Sequence, residues 1–204
     1  QNGSEINLLD ATNKNSIPNI LPLKTINWFG RLIKKDGTSF NINLMKKPIS
    51  NESVVLMADI NEDGSIEGKI RKQMYNHNAF VFRENHGNIN EDSYIEILEK
   101  KHNGIEIYDY NIKNKKELNE PIIENFSFKH NNVVDLIGSK MYISPLLFYQ
   151  LDENPFKLEN RKYPIDFPYP YRDSYNINLK IPENYEIEFL PNPITYVMEN
   201  GNIS

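Results

Sequence analysis

Apolar residues recur at every second position over most of this chain, and that period decides its fold class. Phe40, Ile42 and Leu44 alternate with Asn41 and Asn43, and Val54, Leu56, Ala58 and Ile60 alternate in the next run. Ile66, Ile70 and Met74 share a face opposite Glu67, Lys69, Arg71 and Gln73. The rhythm returns at Ile105 and Ile107, at Phe126 and Phe128, at Tyr175, Ile177, Leu179 and Ile181, and at Tyr185, Ile187 and Phe189. Side chains on a strand point alternately to its two faces, so this pattern specifies antiparallel sheet with one buried and one wet face. Turn chemistry agrees. Asp36-Gly37 and Asp63-Gly64 each separate two alternating runs, and Pro182-Glu183-Asn184 separates a third pair. Asp-Gly suits tight hairpins because both residues tolerate positive φ.

Two stretches break the alternation. Tyr75 to Glu84 predicts a short helix, with Ala79, Phe80 and Arg83 at helical spacing. Glu91 to Asn103 predicts a second one. Asn90 can cap it, acids fill its first turn, and Tyr94, Ile97 and Leu98 form an apolar stripe. Lys100, Lys101 and His102 complement the C-terminal dipole, and Gly104 can close the helix. The expected fold is mainly β. Antiparallel, sandwich-like sheets carry the two short helices on one face, and a small C-terminal β unit follows.

Prolines become frequent from Pro145 onward, and Tyr163 to Tyr171 alternates aromatic residues with proline. Proline cannot donate a ladder hydrogen bond, so this stretch reads as loop or edge. The chain therefore divides into a terminal strand and linker (1–20), a β domain with both helices (21–145), and a proline- and tyrosine-rich loop with the last strands (146–204).

Composition excludes several functions. At 204 residues the chain can bury roughly 70% of its unfolded surface without a disulfide or metal. The net charge is -5 with both signs interleaved, so no nucleic-acid partner is expected. No apolar run approaches the roughly 20 residues that span a bilayer, so no transmembrane segment is expected. The chain has no cysteine, which removes a thiol nucleophile, a disulfide framework and thiolate metal sites.

Candidate sites follow from residue types and spacing. Asp59 to Ile66 mimics the front half of a calcium loop, but Ile70 stands where a bidentate glutamate is required. The alternating flanks favour a plain Asp-Gly hairpin there. His77, His86, His102 and His130 show no metal-ligand spacing, so no metal and no cofactor are expected. No glycine-rich phosphate loop or supported Ser-His-Asp set occurs. Arg172-Asp173 reads as a local surface ion pair. The aromatics Tyr163, Phe167, Tyr169, Tyr171 and Tyr175, with Trp28 apart from them, could stack on a sugar ring or anchor a peptide. Equally, tyrosines on strands form sheet, and prolines between them shape a packed loop.

Six segments carry a resemblance. They are Asn7-Leu8-Leu9-Asp10-Ala11-Thr12, Ile143-Ser144-Pro145-Leu146-Leu147-Phe148, Glu153-Asn154-Pro155-Phe156-Lys157, Arg161 to Phe167, Asp173-Ser174-Tyr175, and Ile181-Pro182-Glu183-Asn184-Tyr185 with Leu190-Pro191. In this order they resemble the C-terminal domain of unknown function that follows a transglutaminase-like core in large exported proteins of Gram-negative bacteria. The resemblance implies an upstream transglutaminase-like domain as partner and a periplasmic or extracellular location. It also implies that Asp10 occupies the triad position that orients a histidine, inactive alone. The cysteine and histidine of that triad lie outside this chain, so the expectation is a non-enzymatic accessory domain, an excised piece of a longer protein. It predicts Asp10 at the edge of the fold and an exposed apolar patch near the N-terminus. Two alternatives stay open: a glycan- or peptide-binding module built on the aromatic cluster, and a self-contained enzyme with a deep pocket of perturbed acids or histidines.

Overall fold

The computed structural model describes residues 6–44, 49–131, 133–151 and 165–196, with 153, 154, 156, 157, 160 and 162 between them. The chain is mainly β. Its strands are β1 (Phe29–Ile33), β2 (Ser39–Asn43), β3 (Ser50–Ile60), β4 (Ile66–Met74), β5 (Ile105–Lys113), β6 (Ile122–His130), β7 (Val134–Ile137), β8 (Lys140–Ile143) and β9 (Tyr171–Lys180). Two helices, α1 (Asn76–His86) and α2 (Glu91–Lys101), lie between β4 and β5.

A five-stranded sheet in the order β5-β6-β4-β3-β9 forms the body. Its pairings are antiparallel except β3 with β9, which run parallel. Register aligns the apolar positions on one face: Leu56 opposes Ile70, Ile70 opposes Phe126, and Leu56 also faces Ile177 of β9. Val54, Leu56, Ile66, Ile122 and Phe128 are fully buried there. The opposite face carries Glu67, Lys69, Arg71, Asn176 and Asn178, as the alternation requires.

Two caps cover the apolar face. At one end Met74 and Ile122 pack with Ala79 and Phe82 of α1 and with Tyr94 of α2. At the other end Val134, Met141, Ile143 and the turn Leu147–Tyr149 pack over Val54 to Ile66 and Phe128. The helices therefore sit on one sheet face, as expected. Asn90 caps α2 by accepting from Ser93 N at 2.8 Å, and acids Glu91 and Asp92 occupy its first turn. The entry of α1 is tied to β3, because His77 N donates to the buried Ser50 hydroxyl at 3.0 Å.

Three local expectations are corrected. The Asp-Gly hairpins form, but only the glycines adopt positive φ, +82° at Gly37 and +80° at Gly64. Each turn closes an i to i+3 bond, Gly37 N to Lys34 O and Gly64 N to Asn61 O, as in a type I turn followed by a left-handed glycine. The aspartates contribute by accepting bonds: Asp36 Oδ1 from Thr38 and Asp63 Oδ1 from Ser65, each from backbone N and hydroxyl. Residues 7–10 are not a strand; Leu8 exchanges bonds with the loop residue Asn19 instead. Residues 185–189 form no strand beside β9. Tyr185 N closes a turn on Pro182 O, and Asn184 and Glu188 then bond to Glu62 and Lys140, leading the segment away. β9 pairs with β3 because that places Ile177 and Leu179 against the main core.

A bulge re-aims one residue. Pairing of β5 with β6 shifts between Tyr108 and Asn111, where Asp109 has φ +52°. Before the shift Ile105 and Ile107 point inward; after it Tyr110 and Ile112 do. An extra residue in one strand reverses the side of everything that follows it.

Candidate functional site

A polar strip crosses the covered sheet face, beginning at Glu124 of β6. Lys72 is its register neighbour on β4, and Asp173 of β9 is the register neighbour of Glu52 on β3. These four sit at inward-facing positions of otherwise alternating strands, so sheet register alone assembles them. Lys72 Nζ lies 3.1 Å from Glu52 Oε1, both partly shielded.

The inner end of the strip is enclosed. Glu124 is 1% exposed and accepts from the Tyr110 hydroxyl at 2.7 Å. Tyr94 and Tyr110 lie edge to face at 5.9 Å, and His86 stands 5.0 Å from Tyr94. Burial and the nearby Glu124 charge push both phenols well above the ordinary tyrosine range. They therefore stay protonated and act as hydrogen-bond donors. Burial lowers His86 as well, keeping it neutral at pH 7.

The outer end is open. Asp173 is exposed, and partial burial and Glu52 raise its pKa. Tyr171 and Tyr175 flank it on the same strand face. Tyr171 is 51% exposed and meets the equally exposed Phe167 edge-on at 5.8 Å. Tyr175 leans on Tyr149 at 5.2 Å. The arrangement offers ring faces, one carboxylate and a lysine-paired carboxylate to a ligand, and no activated nucleophile.

The aromatic residues expected to act together are thus divided. Phe167, Tyr171 and Tyr175 share the open end. Tyr169 instead stacks on His77 at 5.0 Å and donates to Asn78 Oδ1 at 3.0 Å, docking the loop onto α1. Trp28 sits apart, 71% exposed beside β1. Tyr163 lies outside the described residues. Arg172 is on the opposite sheet face from Asp173, since consecutive strand residues point apart, so the two form no local pair. Tyr149 and Glu124 escaped the sequence reading. Tyr149 sits on a short turn without period, and Glu124 is one acid among 28.

Asp10 is held in a loop with its carboxylate shaped by Thr12. Oδ1 accepts from Thr12 N at 2.8 Å and from the Thr12 hydroxyl at 2.6 Å. This Asp-x-Ser/Thr arrangement is the one that closes both hairpin turns. The Thr12 hydroxyl bond first, then its amide, lower the Asp10 pKa, so it is ionised at neutral pH. Beside it Ile6 and Leu9 are exposed, Leu9 at 73%.

A cavity of about 60 Å³ lies between the residue 15–20 loop, α1 and the β5–β6 loop, lined by Ile17, Tyr75, Phe80, Arg83 and Pro121 among others. That volume suits a few waters rather than a substrate. Arg83 organises its wall. Its guanidinium donates to the carbonyls of Asn114, Lys115, Glu117, Leu118 and Glu120. Among the described residues, no group of three or more His, Asp or Glu is placed to hold a metal ion. No helix among them is long and apolar enough to cross a membrane.

Neither the curated proteins nor the solved structures contain a match to this chain. Residues 139–204, which include β8, β9 and the open end of the polar strip, match a family described as a domain of unknown function with a solved structure, DUF3858.

Proposed function

We propose that this chain is a non-catalytic accessory domain of a transglutaminase-like exported protein, supporting or orienting substrate for a core carried elsewhere. The observation that carries this reading is the state of Asp10. Its carboxylate is ionised, fixed through one oxygen by Thr12, and surface-placed beside the exposed Leu9. A triad aspartate must be ionised to hold a histidine in one tautomer. With no cysteine in the chain, the thiolate would come from the neighbouring core. The family match at 139–204 agrees with the resemblance in the same region. The reading places the protein in the periplasm or outside the cell.

The test uses the longer protein. Asp10→Asn should lower its amide turnover by on the order of 10⁴-fold in kcat, the scale of losing a triad aspartate. The present chain alone should turn over no amide or ester. Unchanged activity in Asp10→Asn, or turnover by this chain lost on substitution within it, overturns the reading.

One observation favours a second reading, a glycan- or peptide-binding module. Phe167, Tyr171 and Tyr175 are exposed at 51%, 51% and 39% around Asp173. Planar rings beside a carboxylate suit a sugar or a peptide side chain. A thermal shift with a glycan or peptide panel, abolished by Tyr171→Ala, would support it; no shift across the panel would remove it.

A further inference from the structure

The hairpin of β1 and β2 pairs with no other strand among the described residues. An isolated two-stranded hairpin is marginal in water. This one nevertheless gathers an apolar face from Leu32, Phe40, Ile42 and the adjacent Trp28 and Leu44, with Trp28 71% and Phe40 42% exposed. Far along the chain, residues 185–190 carry a strand pattern without a strand. Tyr185, Ile187 and Phe189 alternate with Glu186 and Glu188, and Ile187, Phe189 and Leu190 are 59%, 80% and 66% exposed. Among the described residues, the backbone from 186 to 190 has no hydrogen-bond partner.

Charge and pleat make these two surfaces complementary. Residues 28–44 carry Arg31, Lys34 and Lys35 against Asp36 alone, whereas 182–196 carry Glu183, Glu186 and Glu188 and no basic residue. Laid antiparallel on the outer edge of β1, with Arg31 opposite Glu188, the segment places Ile187 beside Leu32 and Phe189 beside Gly30. Ile187 and Phe189 then fall on the Leu32 face, and Glu188 on the Arg31 face, where Leu190 meets Phe29 and Glu186 meets Ile33. One chain does not make this pairing. The chain enters β3 at its Ser50 end, where Asn76 Nδ2 donates to Ile49 O. The segment leaves from the other end, where Asn184 donates to Glu62 Oε1. Those ends are about 33 Å apart at strand rise, and among the described residues the two surfaces do not pair within one chain.

We infer that the β1 edge accepts residues 185–190 of a second copy of this chain as an added strand. Main-chain bonds supply affinity, and the Arg31–Glu188 pair and the alternate apolar contacts set register. In the free chain Glu188 bonds Lys140 at 2.6 Å, an exposed pair that yields readily. The contact joins unlike surfaces, so it builds head-to-tail assemblies.

The absence of cysteine allows a clean test. Arg31→Cys chains are mixed with Glu188→Cys chains under mild oxidation. A disulfide joining one of each is expected, with folding checked by circular dichroism. In sedimentation, Arg31→Glu and Glu188→Arg should each weaken association about tenfold, and the two changes together in one chain should restore it. No mixed disulfide, a disulfide within the doubly substituted single chain at low concentration, or no restoration in the charge-exchanged protein would each overturn the proposal.

Discussion

Replacing Arg83 with alanine should unfold the β5–β6 loop before it disturbs the sheet. Arg83 is 5% exposed on α1 and reaches five backbone carbonyls of residues 114–120. Three of those bonds are short, at 2.7, 2.9 and 3.0 Å, and two are long, at 3.3 and 3.4 Å. All three short ones come from Nη2, which has two N–H groups; a bond from a charged donor contributes about 1.5–3 kcal/mol net, so two full bonds bound the loss near about 3–6 kcal/mol. The loop is at the surface, and water replaces much of the lost bonding, while removing the cation recovers its desolvation. The expected loss is about 3–4 kcal/mol. Arg83→Lys keeps the charge but not the planar fork, and should lose about 2–3 kcal/mol. Urea unfolding reads the loss, with the slope in denaturant unchanged. Hydrogen exchange should show amides of residues 114–120 opening first. A loss under about 1 kcal/mol in Arg83→Ala, or a lysine variant equal to the parent, would refute the reasoning.

Three further outcomes follow from the structure. Burial lowers His77 and His86, and brings His102 to about 4. An unfolded histidine titrates near 6.5, so the unfolded state takes up protons first as pH falls. Stability present above pH ~6.5 should therefore decline toward pH ~4, and a flat denaturation midpoint across that window would contradict it. Tyr110→Phe removes a donor from the buried Glu124 carboxylate and should lower stability by about 1–3 kcal/mol, or several degrees in Tm. An unchanged melting temperature would show that other groups satisfy Glu124. Gly68→Ala puts a Cβ 2.2 Å from Met57 O and 2.6 Å from Ala58 Cβ, so β3 and β4 must separate. Soluble yield should collapse, and a well-folded variant would show that the strand spacing is adjustable.

Alternation, Asp-Gly turns and the Asn90 cap are local properties, and each was legible because one face of each strand or helix must leave water. Val54 to Ile60, Ile66 to Met74 and both helices follow from it directly. Strand partnership was not legible. The run Tyr185 to Phe189 has the same period as β9, yet β9 joins β3 in parallel and the later run stays unpaired. Period tells which side faces inward; it carries no address for the neighbour.

The site divides in the same way. The aromatic run was visible as candidate residues, but which rings stay exposed was not, and Glu124, Lys72, Glu52 and Asp173 come from four separate strands. The sequence by itself determined a β-rich chain with two short helices and no thiol nucleophile. Only the tertiary structure decided that a bulge at Asp109 turns Tyr110 onto Glu124, and that sheet register lines the charges across one face. The reason is physical. Face and turn are set by neighbours along the chain, while register is set by long-range packing whose contributions no short segment contains.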